Sequence, residues 1–177
     1  DLIKNTLGIS IYSLVIGFPL AIIFAVLLHY LTMNKLKKIV QMVSYAPYFI
    51  STVVICGMLT IFMDPGNGVF NKIIGLFGQE PIPFLYVPEY FKTIYVWSGV
   101  WQGMGWSAII YISSLAGVDY EMHEAAIIDG ASKLQRIRFI DLPSIRPVII
   151  MLLIMQLGSL MSVGFEKVYL LQNDLNR

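Results

Sequence analysis

Glu124-Ala125-Ala126, then Gly130, then Ile140-Asp141-Leu142-Pro143 lie in a polar island of about twenty residues between two long apolar segments. Asp119 is placed to cap a helix over Tyr120 to Asp129, and Gly130 to end it in a left-handed conformation. Ser132, followed three residues later by Gln135, is a capping-box pattern for a second short helix. Pro143 or Pro147 fits the first turn of the apolar segment that follows, where a missing amide proton costs little. The island is therefore predicted to be a two-helix elbow tied directly to a long apolar helix. Ala125 and Ala126 keep one surface low enough for close approach, and Glu124 supplies a charge that can pair across a contact. Two uses fit this elbow: docking of a partner protein, or resting on a lipid surface as an amphipathic helix.

The surroundings place it in a membrane chain. Of 177 residues, 57% are hydrophobic and 13% charged, and the mean hydropathy is +0.73. Ordinary soluble domains have roughly 45–50% and about 25%. A spanning helix needs ~20 apolar residues, so an all-α polytopic transmembrane bundle, one domain over residues 1–177, is predicted. The 12 Lys and Arg against 11 Asp and Glu leave a net charge of +1, and no general basic field for nucleic acid. The single Cys56 excludes an internal disulfide. Asp1-Leu2-Ile3-Lys4 lacks a basic leader region, so no signal peptide is expected.

Four spans are predicted. The first runs from Thr6 to Leu28 with a kink near Val15 to Pro19, because proline removes one backbone bond. Lys35, Lys37 and Lys38 form a polar turn before a second span from Tyr45 to Met63, which Asp64-Pro65-Gly66-Asn67-Gly68 stops. Val69 to Phe77 reads as a short helix lying on the membrane, ended by Gly78, and Pro81, Pro83 and Pro88 make an extended connection to Tyr90. In the third span, Phe91 to Leu115, the residues Trp97, Trp101, Met104, Ala108 and Tyr111 form one stripe, with Gly99 and Gly103 opposite for close helix approach. The fourth runs from Ile145 to Phe165, and Gln156, Ser159, Val163 and Glu166 share a face directed at helix contacts or an aqueous cavity.

Basic residues set the orientation. Lys35, Lys37, Lys38, Lys133, Arg136, Arg138 and Arg146 fall on one side, against Lys4, Lys72, Lys92, Lys167 and Arg177 on the other. Because the first group is concentrated in short loops, the elbow is assigned to the cytoplasm.

Glu124-Ala125-Ala126, Gly130, Ile140, Leu142 and Pro143 resemble, in residue and spacing, the EAA signature of permease subunits of binding-protein-dependent ABC importers. Asp129 and Ala131 extend the likeness. The resemblance implies that the elbow is a cytoplasmic coupling helix, with Glu124, Ala125, Ala126, Asp129 and Gly130 meeting an ATPase subunit. Asn5-Thr6-Leu7, Tyr45-Ala46-Pro47 and Asp64-Pro65-Gly66 resemble the carbohydrate branch. Trp101-Gln102-Gly103-Met104-Gly105-Trp106, Ile110-Tyr111 and Ser144-Ile145-Arg146-Pro147 resemble its subgroup for complex oligosaccharides and polysaccharide fragments. Leu134 and Ile137 depart from the Trp and Phe common at those places, so packing behind the elbow is expected to differ. The family's first and last spanning helices are not represented, so the chain is expected to be the core of a longer subunit.

The partners implied are a cytoplasmic ATPase subunit, a second permease subunit, an extracytoplasmic binding protein and the lipid bilayer of a bacterial plasma membrane. No Gly-x-x-x-x-Gly-Lys-Ser/Thr loop occurs, so ATP and magnesium are expected on the separate ATPase, with no cofactor and no enzyme activity in this chain. Trp97, Trp101, Tyr111, Gln156 and Ser159 offer the aromatic, amide and hydroxyl chemistry that holds a neutral sugar, and suit helix packing equally. An ion- or proton-coupled transporter or channel would place a carboxylate or histidine well inside a span, whereas His29 and Glu166 lie near ends. A permease for a non-sugar solute is the other alternative. A membrane enzyme or metal site is not read, because His29 and His123 have no partner at metal-ligand spacing in the sequence. His123 is placed on the elbow's surface.

Overall fold

The computed structural model describes residues 2–162 and 164–173; Val163 and Arg177, which entered the face and charge readings, lie outside them. The helices are α1 (Leu2–His29), α2 (Asn34–Tyr45), α3 (Thr52–Phe62), α4 (Val69–Leu76), α5 (Pro88–Ala116), α6 (Tyr120–Ile128), α7 (Lys133–Arg136), α8 (Leu142–Gly158) and α9 (Phe165–Leu171). No strand occurs among the described residues.

The pairing of α1 with α5 is the spine of the molecule. It is close because Ala21 and Ala25 of α1 meet Ala108 of α5, and small side chains let the two backbones approach. Val26, Tyr111, Leu115 and Ile145 complete the buried core around them. The helix α1 runs through Pro19 without a break. Among the described residues, α1 alone qualifies by length and composition as a single-helix membrane span. At 29 residues α5 is long enough to cross, but Ser98, Gln102 and Ser107 make it less apolar. Ser98 is buried, and its hydroxyl donates to the Ile94 carbonyl one turn back.

The predicted second span is not one rod. Lys35, Lys37 and Lys38 open the amphipathic helix α2 instead of sitting in a turn. Lysine is a good helix former, and apolar Leu36, Ile39, Val40 and Val43 recur between and after the lysines at helical spacing. A 3₁₀ turn, Ala46–Phe49, then breaks the helix at Pro47. Ser51 caps α3, its hydroxyl accepting from the Val54 amide. The two arms meet at 103°. Helix α5 holds this corner: the Gln102 amide donates to the Ile50 carbonyl at 3.0 Å, and Trp106 stacks on Tyr48 with ring centres 4.5 Å apart. The close approach that α5 provides is at Gly105, where any Cβ would collide with the Ser44 carbonyl of α2, and not at Gly103, which has nothing within 4 Å.

The Asp64 to Gly68 stop forms as read, with Asp64 Oδ1 accepting from the Gly66 and Asn67 amides. Gly78 ends the following helix at φ +75°. Buried Asn71 closes the outer loop by three bonds: it donates to the carbonyls of Asp64 and Ile82 and accepts from the Ile82 amide.

The fourth predicted span ends early. Helix α8 stops at Gly158 with Ser159 as its C-cap, and α9 begins at Phe165, so Glu166 is not on the helix that carries Gln156. At its other end α8 is continuous with α7 through a π-helical turn, Ile137–Asp141. Prolines 143 and 147 can donate no backbone bond, and the Ser144 hydroxyl donates to the Ile140 carbonyl at 2.6 Å.

Candidate functional site

The elbow is built as its caps dictate. Asp119 accepts from the Glu121 amide at 3.0 Å, and Gly130 takes φ +79° beyond α6. Ser132 and Gln135 complete a reciprocal capping box on α7. Glu124, Ala125, Asp129 and Gly130 are exposed and Ala126 is half-buried. Beside them Ile128 is 85% and Leu134 78% exposed. Leu134 therefore lies on the elbow's surface and not behind it, whereas Ile137 packs on the core. Exposed Ile128 and Leu134 thus stand beside small residues and two carboxylates, Glu124 and Asp129, on one water-facing elbow.

His123 departs from its predicted place. It is buried, and its Nε2 lies 3.1 Å from Oδ1 of Asp141, a carboxylate with no exposure. Tyr30, just beyond α1, donates to Oδ2 of the same carboxylate at 2.6 Å, and the Arg136 guanidinium lies 5.7 Å from the Tyr30 ring centre. Burial pushes the Tyr30 hydroxyl well above its usual range, and its bond to Asp141 adds to the shift. His29, at the end of α1, completes the group. The fold thus brings to the two histidines the third donor that sequence spacing did not show. One buried carboxylate ties α1 to both arms of the elbow.

The second feature is a cavity of about 720 Å³ between α1, α5, α8 and α9. Of the five residues predicted for the pathway, Tyr111, Gln156 and Ser159 line it. Trp97 and Trp101 do not; each is 49% exposed on the outer side of α5. Tyr111 is held edge-on by Phe18 at 6.2 Å. Tyr95, Trp106, Gln102, Ser13 and Ser107 also line the cavity, and Gly99 and Gly103 open it instead of packing a helix.

Among the described residues, Lys167 is the single charged one on the cavity wall. Its ammonium donates to the Tyr95 carbonyl at 2.9 Å and lies 4.7 Å from the Tyr95 ring centre. From the sequence Lys167 is only one of the basic residues opposite the elbow. Its place beside Gly99 depends on the turn after Gly158, which no local signal announces.

The profile of the family "Binding-protein-dependent transport system inner membrane component" matches residues 17–164. The Bacillus subtilis (strain 168) polygalacturonan/rhamnogalacturonan transport system permease protein YteP is 40% identical over 99% of this chain, and Protein LplB of the same organism is 39% identical over 99%. The chain spans 55% of the length of each. Among solved structures, a bacterial ABC transporter involved in import of the acidic polysaccharide alginate superposes with a TM-score of 0.96 at 37% identity, over 98% of this chain and 61% of that one. The same transporter type in complex with an alginate pentasaccharide-bound periplasmic protein gives 0.95 at 37% identity, over 98% of this chain and 60% of that one.

Proposed function

The chain belongs to the family of inner membrane components of binding-protein-dependent transport systems, and from that premise we propose that it forms half of the pathway of an ATP-driven importer for carboxylate-bearing oligosaccharides. The observation that carries this reading is the composition of the cavity wall. Aromatic rings of Phe18, Tyr95, Trp106 and Tyr111 offer faces to sugar rings, and Gln102, Gln156 and Ser159 offer amide and hydroxyl groups to sugar hydroxyls. Lys167 adds one cation, with no carboxylate among the described residues that line the cavity. Ammonium supplies three N–H donors, of which the Tyr95 carbonyl takes one. A uronate carboxylate is the complement of what remains.

ATP is consumed by a separate subunit that docks on Glu124, Ala125, Ala126, Asp129 and Gly130. Closure of the paired ATPases moves each elbow, and the rod from α7 through α8 carries that motion to Gln156 at the cavity. Nucleotide shifts the population toward the outward-facing state only so far as it favours that state over the inward-facing one. A second permease subunit closes the pathway, and an extracytoplasmic binding protein delivers the sugar.

The test is uptake by the full-length chain, reconstituted with its ATPase, second permease and binding protein. ATP-dependent uptake of uronate oligosaccharides, reduced by Lys167→Gln, is expected. Uptake driven by a proton gradient without ATP would sink the importer reading. Equal uptake of neutral sugars, unaffected by Lys167→Gln, would sink only the acidic cargo.

A further inference from the structure

Three donors from distant parts of the chain converge beneath the elbow. His29 ends α1, His123 lies on the inward face of α6, and Asp141 ends the π turn; one ligand atom from each lies within 4.8 Å of the others. Oδ1 of Asp141 and Nε2 of His123 are 3.1 Å apart, out of contact with solvent, and neither finds a hydrogen-bond partner. Two lone-pair-bearing atoms left so in a dry interior are costly unless a cation joins them. A proton on His123 would serve that pair, but it leaves His29 without a role. A metal ion uses all three.

We propose that His29, His123 and Asp141 bind a divalent transition-metal ion of the zinc class, tying the end of α1 to the elbow. Zinc–nitrogen and zinc–oxygen bonds of ~2.0–2.1 Å in a tetrahedron set neighbouring ligand atoms roughly 3.3 Å apart. The observed 3.1 Å is close to that spacing. The other oxygen of Asp141 receives the Tyr30 hydroxyl, which is the outer support that fixes a ligating carboxylate. His29 stands in the last turn of α1, where unpaired helix carbonyls favour positive charge. Two imidazoles and a carboxylate select zinc and its transition-metal neighbours over magnesium or calcium. Lys37, which acts electrostatically on His29, and Arg136 above Tyr30 disfavour hard ions held by charge alone. On binding, the metal takes the His123 lone pair and any proton there leaves to solvent.

The full-length chain, assembled with its partner subunits and purified without a polyhistidine tag, is titrated with Co²⁺ and then Zn²⁺. The expected result is an intense visible absorption typical of tetrahedral cobalt, saturating at one ion per chain and erased by zinc. Both His29→Gln and His123→Gln should weaken cobalt binding by about tenfold or more. His29 is half-exposed, so its variant tests the site without opening the core, and gel filtration of each variant checks assembly. Absence of saturable binding overturns the proposal. So does binding unchanged in both variants, or weakened in only one.

Discussion

The Tyr30 hydroxyl donates a 2.6 Å hydrogen bond to Oδ2 of Asp141 across 111 residues of sequence. It joins the C-terminal end of α1 to the π turn where the elbow becomes α8. Asp141 has no exposure, so this bond replaces hydration that the carboxylate cannot have.

Replacing Tyr30 by Phe keeps the ring beneath Arg136 and removes that bond alone. A hydrogen bond to a charged group is worth about 1.5–3 kcal/mol, and the orphaned oxygen adds a desolvation cost. Tyr30→Phe should therefore lower the melting temperature of the detergent-solubilised protein. The hydroxyl's pKa is raised on folding, first by burial and then by Asp141. Its contribution is therefore whole below about pH 10 and is lost as pH climbs toward the raised value. The gap between wild type and variant should be constant from pH 7 to 9. A variant that melts with the wild type would show that the carboxylate is satisfied by another group.

A matched pair of glycine substitutions separates packing from conformation on α5. At Gly105 a Cβ would collide with the Ser44 backbone carbonyl, whereas at Gly103 it would meet nothing within 4 Å. Gly105→Ala must push α2 away from α5, at a cost of about 1–3 kcal/mol. Gly103→Ala, in mid-helix, should be neutral or slightly stabilising, since alanine is the better helix former. Comparable melting temperatures for the two would mean that α2 does not rest on α5 as described.

Asn71→Ala tests the outer loop. The side chain makes three bonds to the backbone of Asp64 and Ile82, and its loss leaves those groups to find water. Residues 77–87 should then become sensitive to protease added from the extracytoplasmic side, while the α1–α5 core melts as before. Unaltered cleavage would assign the loop's order to its prolines and to the Asn173 amide, which donates to the Leu85 carbonyl at 2.8 Å.

What the sequence made legible was what neighbouring residues decide. Asp119, Gly130, Ser132 and Gln135 each act within three or four positions, and their caps form as read. The EAA spacing is local in the same sense. Long-range partners were not legible. Asp141 sat unremarked within Ile-Asp-Leu-Pro because Tyr30 and His123 reach it only after α1 folds against the elbow. Lys167 acquires its place from Tyr95, 72 residues earlier. The break at Ala46-Pro47 carried a signal that was visible, and apolar composition on both sides hid it inside one supposed span. Trp97 and Trp101 shared a stripe with Tyr111, but helical phase gives no direction, and the cavity formed on the side of Gln102 and Gly99.

The elbow's role is tested by two substitutions that act through different physics. Glu124 is exposed, so Glu124→Lys disturbs no internal contact and should leave the melting temperature unchanged. If the proposed docking face is correct, reversing its charge should weaken co-purification of the ATPase subunit and reduce ATP-driven uptake in parallel. Gly130 stands at φ +79° with open space around its missing Cβ, so Gly130→Ala introduces backbone strain of about 1–2 kcal/mol without a clash. It should soften the turn between α6 and α7, lowering melting temperature and uptake together. Full ATPase association and full uptake in Glu124→Lys would remove the elbow from the coupling path. Uptake lost with association retained would instead locate the carboxylate's contribution in the transmission of the stroke, after docking is complete.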